Sequence, residues 1–360
     1  MSERKIYLEG VDTLTAARLR MKWIFDNFDT VVVSVSGGKD STVCFELAYA
    51  EAQSRGRTIK CMFLDQEAEY QASIDIVSDY MTRPGVEPYW YQVPIYMTNA
   101  TSYTDDMLFA WEPGATWVRD KHPISIHAEE GAPDRFYDFV EWFDNKFGEG
   151  AVHIVGLRSE ESLNRYRSVT ANPAIPGVNW STKTKSGAVK LYPIYDWSFE
   201  DIWTFIGNHG IRYNRVYDYL WSKGKRIPEM RVSNLIHEKA FGSLATLQEF
   251  EHETFERLAA RLNGVHMAGI YAGEPIVLDA KKLPSAFKTW KEYRDFLLDT
   301  ATIPEEKKAR FRERWARQAD IDKVHRQQAR QVALNDWEGN IQIDQSDDKE
   351  DVMSKWREIL

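Results

Sequence analysis

Ser36-Gly37-Gly38-Lys39-Asp40-Ser41 is the stretch of this chain best equipped for chemistry. Two adjacent glycines let main-chain amides approach an anion with no Cβ in the way. Lys39 adds a full positive charge, and Ser36 and Ser41 add hydroxyl donors. Asp40 is misplaced against bare phosphate, which points it toward Mg²⁺ or toward fixing the loop. The preceding run 30–36 reads TVVVSVS, and 41–52 resumes a helical period, so the loop joins a strand to the start of a helix. A helix N-terminus favours anions. A GxxxxGK[ST] loop is excluded, because its first glycine and its hydroxyl residue are replaced by Val33 and Asp40.

Further along, Gly156-Leu157-Arg158-Ser159-Glu160-Glu161-Ser162 and Arg165 place two guanidinium groups where forked hydrogen bonds suit phosphate or sulfate. Surface pairing of these arginines with Glu160 and Glu161 is the competing reading. Asp65 and Glu67 follow a predicted strand and could hold a ribose hydroxyl or Mg²⁺; for Glu67, a solvated loop carboxylate is an equal reading. Asp196 and Trp197 precede a predicted helix, where capping and packing are their main roles. The eight histidines show no metal-ligand spacing, and His122 and His127 read as structural or solvent-facing. Cys44 and Cys61 are the only cysteines, and both read as packed thiols.

The elements that position these groups alternate. A helix is predicted over 13–28, strands over 58–64, 89–93 and 151–155, and a helix over 70–81. This alternation predicts an α/β fold with a mostly parallel sheet covered by helices on both faces. Ligands then sit beyond the carboxyl ends of the strands, where Ser36, Asp65 and Gly156 converge. The first domain is expected to span 1–240, with an aromatic-rich insertion at about 94–133 that is either substrate-facing or a small packed subdomain. A mainly helical domain follows over 241–340, with charged helices at 288–298 and 305–332, and then an acidic tail at 341–360.

The chain of 360 residues carries a net charge of −9, yet 156–231 holds 12 Lys and Arg against 7 Asp and Glu. That local excess suits a phosphate-bearing ligand, or a solvated basic face, and allows nucleic acid without favouring it. No apolar run approaches the roughly 18 to 20 residues of a membrane span, so a cytoplasmic location is expected.

The hexapeptide 36–41 resembles the pyrophosphate-binding loop of the ATP-pyrophosphatase (PP-loop) superfamily, with its adenine nucleotide α-hydrolase-like fold. The segment 156–165 resembles the GxRxxES…R segment of the phosphoadenosine phosphosulfate reductase branch. Pro193-Ile194-Tyr195-Asp196-Trp197 with Asp201-Ile202-Trp203 is similar to that branch's P-x-x-D-W…D-[IV]-W. Trp111-Glu112-Pro113, Trp117-Val118-Arg119, Met230-Arg231 and 269–273 resemble an IbrA-like bacterial and prophage subfamily. The resemblance implies an enzyme that binds ATP or a related adenine nucleotide with Mg²⁺ and cleaves between the α and β phosphates. Lys39, Asp40, Arg158 and Arg165 would be catalytic. Ser36, Gly37, Gly38, Ser41, Asp65, Glu67, Gly156, Glu161 and Ser162 would bind the nucleotide with them, and Asp40 would meet Mg²⁺. The reductases' nucleophilic cysteine has no counterpart after Cys61, so sulfonucleotide reduction is not expected. The alternative is a nucleotide-responsive regulator without turnover, acting with a nucleic acid or with the ParB-like partner that the subfamily implies.

Overall fold

The computed structural model describes residues 10–102, 107–161, 163–170, 173–227, 230–232, 234–237, 243–271, 283–301, 303–334, 336–339 and 341–345. The expected acidic tail beyond 345 and Ser162 lie outside the described residues.

The chain forms two compact units, Met1–Met97 with Phe109–Asn234, and Thr98–Leu108 with Leu235–Leu360. In the first, helix α1 (Thr13–Asn27) starts where Asp12 accepts the Thr15 amide at 2.9 Å. It leads into β1 (Thr30–Ser34), whose three valines are buried on both faces, as a central parallel strand requires. Next come α2 (Lys39–Ser54), β2 (Ile59–Leu64), α3 (Gln71–Met81), β3 (Val86–Tyr91) and a ribbon of β4 (Ile95–Thr98) and β5 (Met107–Ala110). The unit continues through α4 (Phe136–Asp144), β6 (Ala151–Val155), a 3₁₀ turn at Ser159–Glu161, and α5 (Leu163–Thr170). It ends with β7 (Ser181–Lys183), β8 (Val189–Leu191), α6 (Phe199–Asn208) and α7 (Val216–Ser222).

The main sheet runs β3-β2-β1-β6-β8-β7, parallel throughout except for the antiparallel edge strand β7. From β1 the chain proceeds outward to β2 and β3 on one side, and returns as β6 on the other. Ligands bind in such sheets where the strand order reverses, here between β1 and β6. Ser34 pairs with Val155 across that junction, so the loops after both strands leave side by side.

Helix α2 begins two residues earlier than the pattern predicts, so Lys39, Asp40 and Ser41 form its first turn and Gly38 is its N-cap. The helix predicted over 305–332 is two, α12 (Glu305–Trp315) and α13 (Asp322–Ala333). These and α11 (Trp290–Thr300) pack Leu298, Phe311, Trp315 and Val332 into a core of the second unit. Its other described helices are α8 (Leu244–Phe250), α9 (His252–Arg261) and α10 (Val265–Tyr271).

Candidate functional site

The loop between β1 and α2 is set by what surrounds it. Gly37 has φ +68°, and a Cβ there would stand 2.8 Å from the Ser73 carbonyl oxygen, so only glycine fits. Asn214 donates to the Gly37 carbonyl at 3.1 Å and to Ser73 Oγ at 2.8 Å, tying the loop to α3. The Ser36 amide donates to Ser41 Oγ at 3.2 Å, and Ser41 Oγ donates to the Gly38 carbonyl at 2.9 Å. The Lys39 amide donates to the Tyr217 hydroxyl at 3.1 Å. Burial keeps that phenol protonated, well above its ordinary range. On the other side, a Cβ on Gly156 would stand 2.8 Å from the backbone of Asp40 and Ser41, so the turn after β6 touches the first turn of α2 directly.

Asp40 stands between two cations. Its Oδ2 accepts from Lys39 Nζ at 2.7 Å and its Oδ1 from Arg158 Nε at 2.5 Å. Both partners are inside the protein, Lys39 5% and Arg158 3% exposed, so these are not surface pairs. Burial pulls the Lys39 ammonium below its ordinary value; Asp40 opposes this, while Arg158 and Arg165 reinforce it. Arg158 also reaches toward the Trp197 carbonyl at 3.5 Å, and the Phe199 amide donates to Glu160 at 3.1 Å. The segments 36–41, 156–165 and 193–203 therefore meet in three dimensions. Glu161 pairs with Arg165, which is nearly half exposed.

The two expectations for Asp40 are contact with Mg²⁺ and fixing the loop. Here both of its carboxylate oxygens are engaged by cations of the chain itself. The geometry matches the second expectation for Asp40, a carboxylate that fixes the loop.

Asp65 and Glu67 point elsewhere. Asp65 leaves the carboxyl end of β2 but is fully buried, accepting from Trp90 Nε1 at 3.1 Å, Gln92 Nε2 at 2.9 Å, the Glu67 amide at 3.0 Å and Arg119. Glu67 is equally buried, which corrects its reading as a solvated carboxylate. It accepts from the amides of Trp111 at 2.7 Å and Val118 at 3.2 Å. Glu67 and Trp111 both have positive φ, 65° and 55°, a strained backbone that the hydrogen bond between them holds in place. These carboxylates thus clamp Trp111, Val118 and Arg119 of the aromatic insertion beside the sheet. His122 belongs to the same packing, stacked on Trp90 at 4.3 Å and bonded to Ser78 Oγ at 3.1 Å.

Sequence reasoning missed Tyr217, Asn214 and Ser73, whose contacts join distant segments and follow no motif. It also missed Glu69, whose carboxyl is 8% exposed. Asp196 is buried in a bidentate pair with Arg20, at 2.8 and 2.6 Å, while Ser198 and Asp201 form the capping box of α6. Cys44 and Cys61 are fully buried, and burial pushes both thiols up. Among the described residues no helix is long and apolar enough to cross a membrane.

Residues 30–223 match the phosphoadenosine phosphosulfate reductase domain family, and 224–348 match a domain of unknown function, DUF3440. The chain is 30% identical over 338 residues to the uncharacterized protein YbdN of Escherichia coli (strain K12), covering 88% of this chain and 81% of that one. It is 21% identical to adenosine 5′-phosphosulfate reductase of Staphylococcus saprophyticus, covering 59% of this chain and 76% of that one. Among solved structures, phosphoadenylyl-sulfate reductase from Candida auris in a phosphate complex aligns with a TM-score of 0.32 and 11% identity, over 61% of this chain and 88% of that one.

Proposed function

The chain belongs to the phosphoadenosine phosphosulfate reductase domain family, and on that footing we propose that it binds ATP by its β and γ phosphates and promotes attack at the α phosphate. The acceptor's nucleophile forms the new bond to phosphorus, the bond to the β-phosphate oxygen breaks, and pyrophosphate leaves with the electron pair. The products are AMP or an adenylated acceptor. The observation that carries this reading is the sharing of Asp40 by Lys39 and Arg158 at the first turn of α2. Two buried cations sharing one internal carboxylate are a preassembled anion site, since an incoming phosphate can take over the carboxylate's contacts. The Lys39 side chain and the Gly38 amide hold the leaving group. Arg158, which shares Asp40 with Lys39, neutralises charge at the α phosphate. Magnesium accompanies ATP in this reading, but no step is assigned to it.

Neither cysteine has a part in this chemistry. Both lie fully buried in the core, so no thiol of this chain is offered to a sulfonucleotide. The test is chromatography of labelled ATP after incubation with Mg²⁺, with and without cell extract to supply an acceptor. AMP or an adenylated product together with pyrophosphate is expected. Lys39→Ala should weaken ATP binding by about 1.5 to 3 kcal/mol in calorimetry. Accumulation of ADP and orthophosphate that depends on Lys39 would overturn the mechanism. Tight binding without turnover would favour the IbrA-like regulator, with a protein or nucleic-acid partner, in its place.

A further inference from the structure

The cations around the loop outnumber what pyrophosphate binding uses. Three arginines meet at Glu161. Its carboxylate pairs with Arg165 and lies 3.8 Å from Arg158 Nη2, and its main-chain carbonyl accepts from Arg231 Nη2 at 3.3 Å. Arg158 is already committed to Asp40, and it also touches the half-exposed Glu160 at 3.4 Å. Among the described residues, Lys39, Arg158 and Arg165 share Asp40, Glu160 and Glu161, while Arg231 donates to the Glu161 carbonyl beside them. The like charges feel one another. Partial burial is the main influence lowering the proton affinity of Arg165; Asp40 opposes it, and Arg231 and Arg158 add to it.

Arg231 also stands apart in the chain. The match to the reductase domain family ends at 223, and Arg231 falls in the segment matched to the domain of unknown function. The cluster thus draws one cation from outside the matched reductase domain, and that cation crowds a positive neighbour. Such an arrangement costs free energy until an anion joins it. Paired guanidinium forks suit a tetrahedral oxyanion better than a single carboxylate.

We propose that Arg165 and Arg231 form a second oxyanion subsite, which takes a phosphate or sulfate group of the acceptor while the loop holds the nucleotide's pyrophosphate. The inference rests on the reading above for what occupies the loop. It names the acceptor class: a small molecule that already carries a phosphate or sulfate.

Calorimetry on the full chain separates the two sites. Inorganic sulfate, inorganic phosphate and acetate are titrated into protein with and without saturating pyrophosphate, using the wild type, Arg231→Ala, Arg231→Lys and Lys39→Ala. Sulfate or phosphate should bind with pyrophosphate already in place, and whichever binds more tightly identifies the group; acetate should bind far less well. Arg231→Ala should weaken that binding by about tenfold. Pyrophosphate affinity should stay within about twofold. Arg231→Lys should recover part of the loss, because charge returns without the fork. Absence of sulfate and phosphate binding, competition of both with pyrophosphate, or indifference to Arg231→Ala would each overturn the proposal. Unchanged pyrophosphate affinity in Lys39→Ala would instead defeat the loop reading, and the Arg231 dependence of oxyanion binding would still be measured directly.

Discussion

Glu69 sits just past β2, enclosed beside Asp65 and Arg119. Burial, and secondly the Asp65 charge, push its carboxyl up to about 8, against the pull of Arg119 and of the polar Asn234 side chain. In the unfolded chain the same group titrates near 4.5. The folded value is the higher one, so its contribution to stability is complete below about 4.5 and is lost as pH rises through about 8. Wild-type protein should therefore lose more stability between pH 5 and pH 9 than Glu69→Gln, by up to about 4 kcal/mol, and melt correspondingly lower at pH 9. Parallel melting curves for the two proteins would refute this burial account. Nothing in the local sequence singles Glu69 out, because its environment is built by Arg119 and Asn234, far along the chain. The same distance hid the roles of Asp65 and Glu67. Their position after a strand was legible, but the Trp90, Gln92, Trp111 and Arg119 contacts that consume them were not.

Among the elements, α1 is fastened to the turn before α6 by a pair of opposite charges inside the protein. Arg20 and Asp196 are 2% and 4% exposed, and Arg20 also donates to the Pro193 carbonyl at 2.7 Å. Removing one partner strands the other, so Arg20→Ala should cost about 3 to 5 kcal/mol in urea unfolding. The double change Arg20→Met/Asp196→Leu should cost much less, because no charge is left behind. Equal losses in the two variants would show that shape, not charge, matters there. This pairing was invisible in the motif around Asp196, which suggests a cap. By contrast β1 and β6 were plain, since TVVVS and AVHIV are short apolar runs of parallel-strand character. Strands β7 and β8 escaped notice because each has three residues, with lysine and threonine among them. Their pairing is imposed by the sheet edge, not by local preference.

At the scale of the whole molecule, a net charge of −9 surrounds a loop that should attract anions. The negative net charge does not disable the loop, because Lys39 and Arg158 are buried and share Asp40 between them. Asp40 can thus be regarded as a counter-ion built into the chain. A ligand entering the loop displaces a carboxylate that cannot diffuse away, and releases few ions to bulk solvent. Mobile salt, which screens exposed charges over about 10 Å at 0.1 M, has little to compete for there. Raising KCl from about 0.05 to 0.5 M should weaken pyrophosphate binding by no more than about threefold. Oxyanion binding at the exposed Arg165 and Arg231 should fall by about tenfold or more over the same range. Calorimetric titrations at several salt concentrations would show the difference as two slopes, and a steeper slope for pyrophosphate would contradict it. The loop would then work at nearly constant affinity in dilute and in concentrated electrolyte, while ionic strength alone set the occupancy of its neighbour.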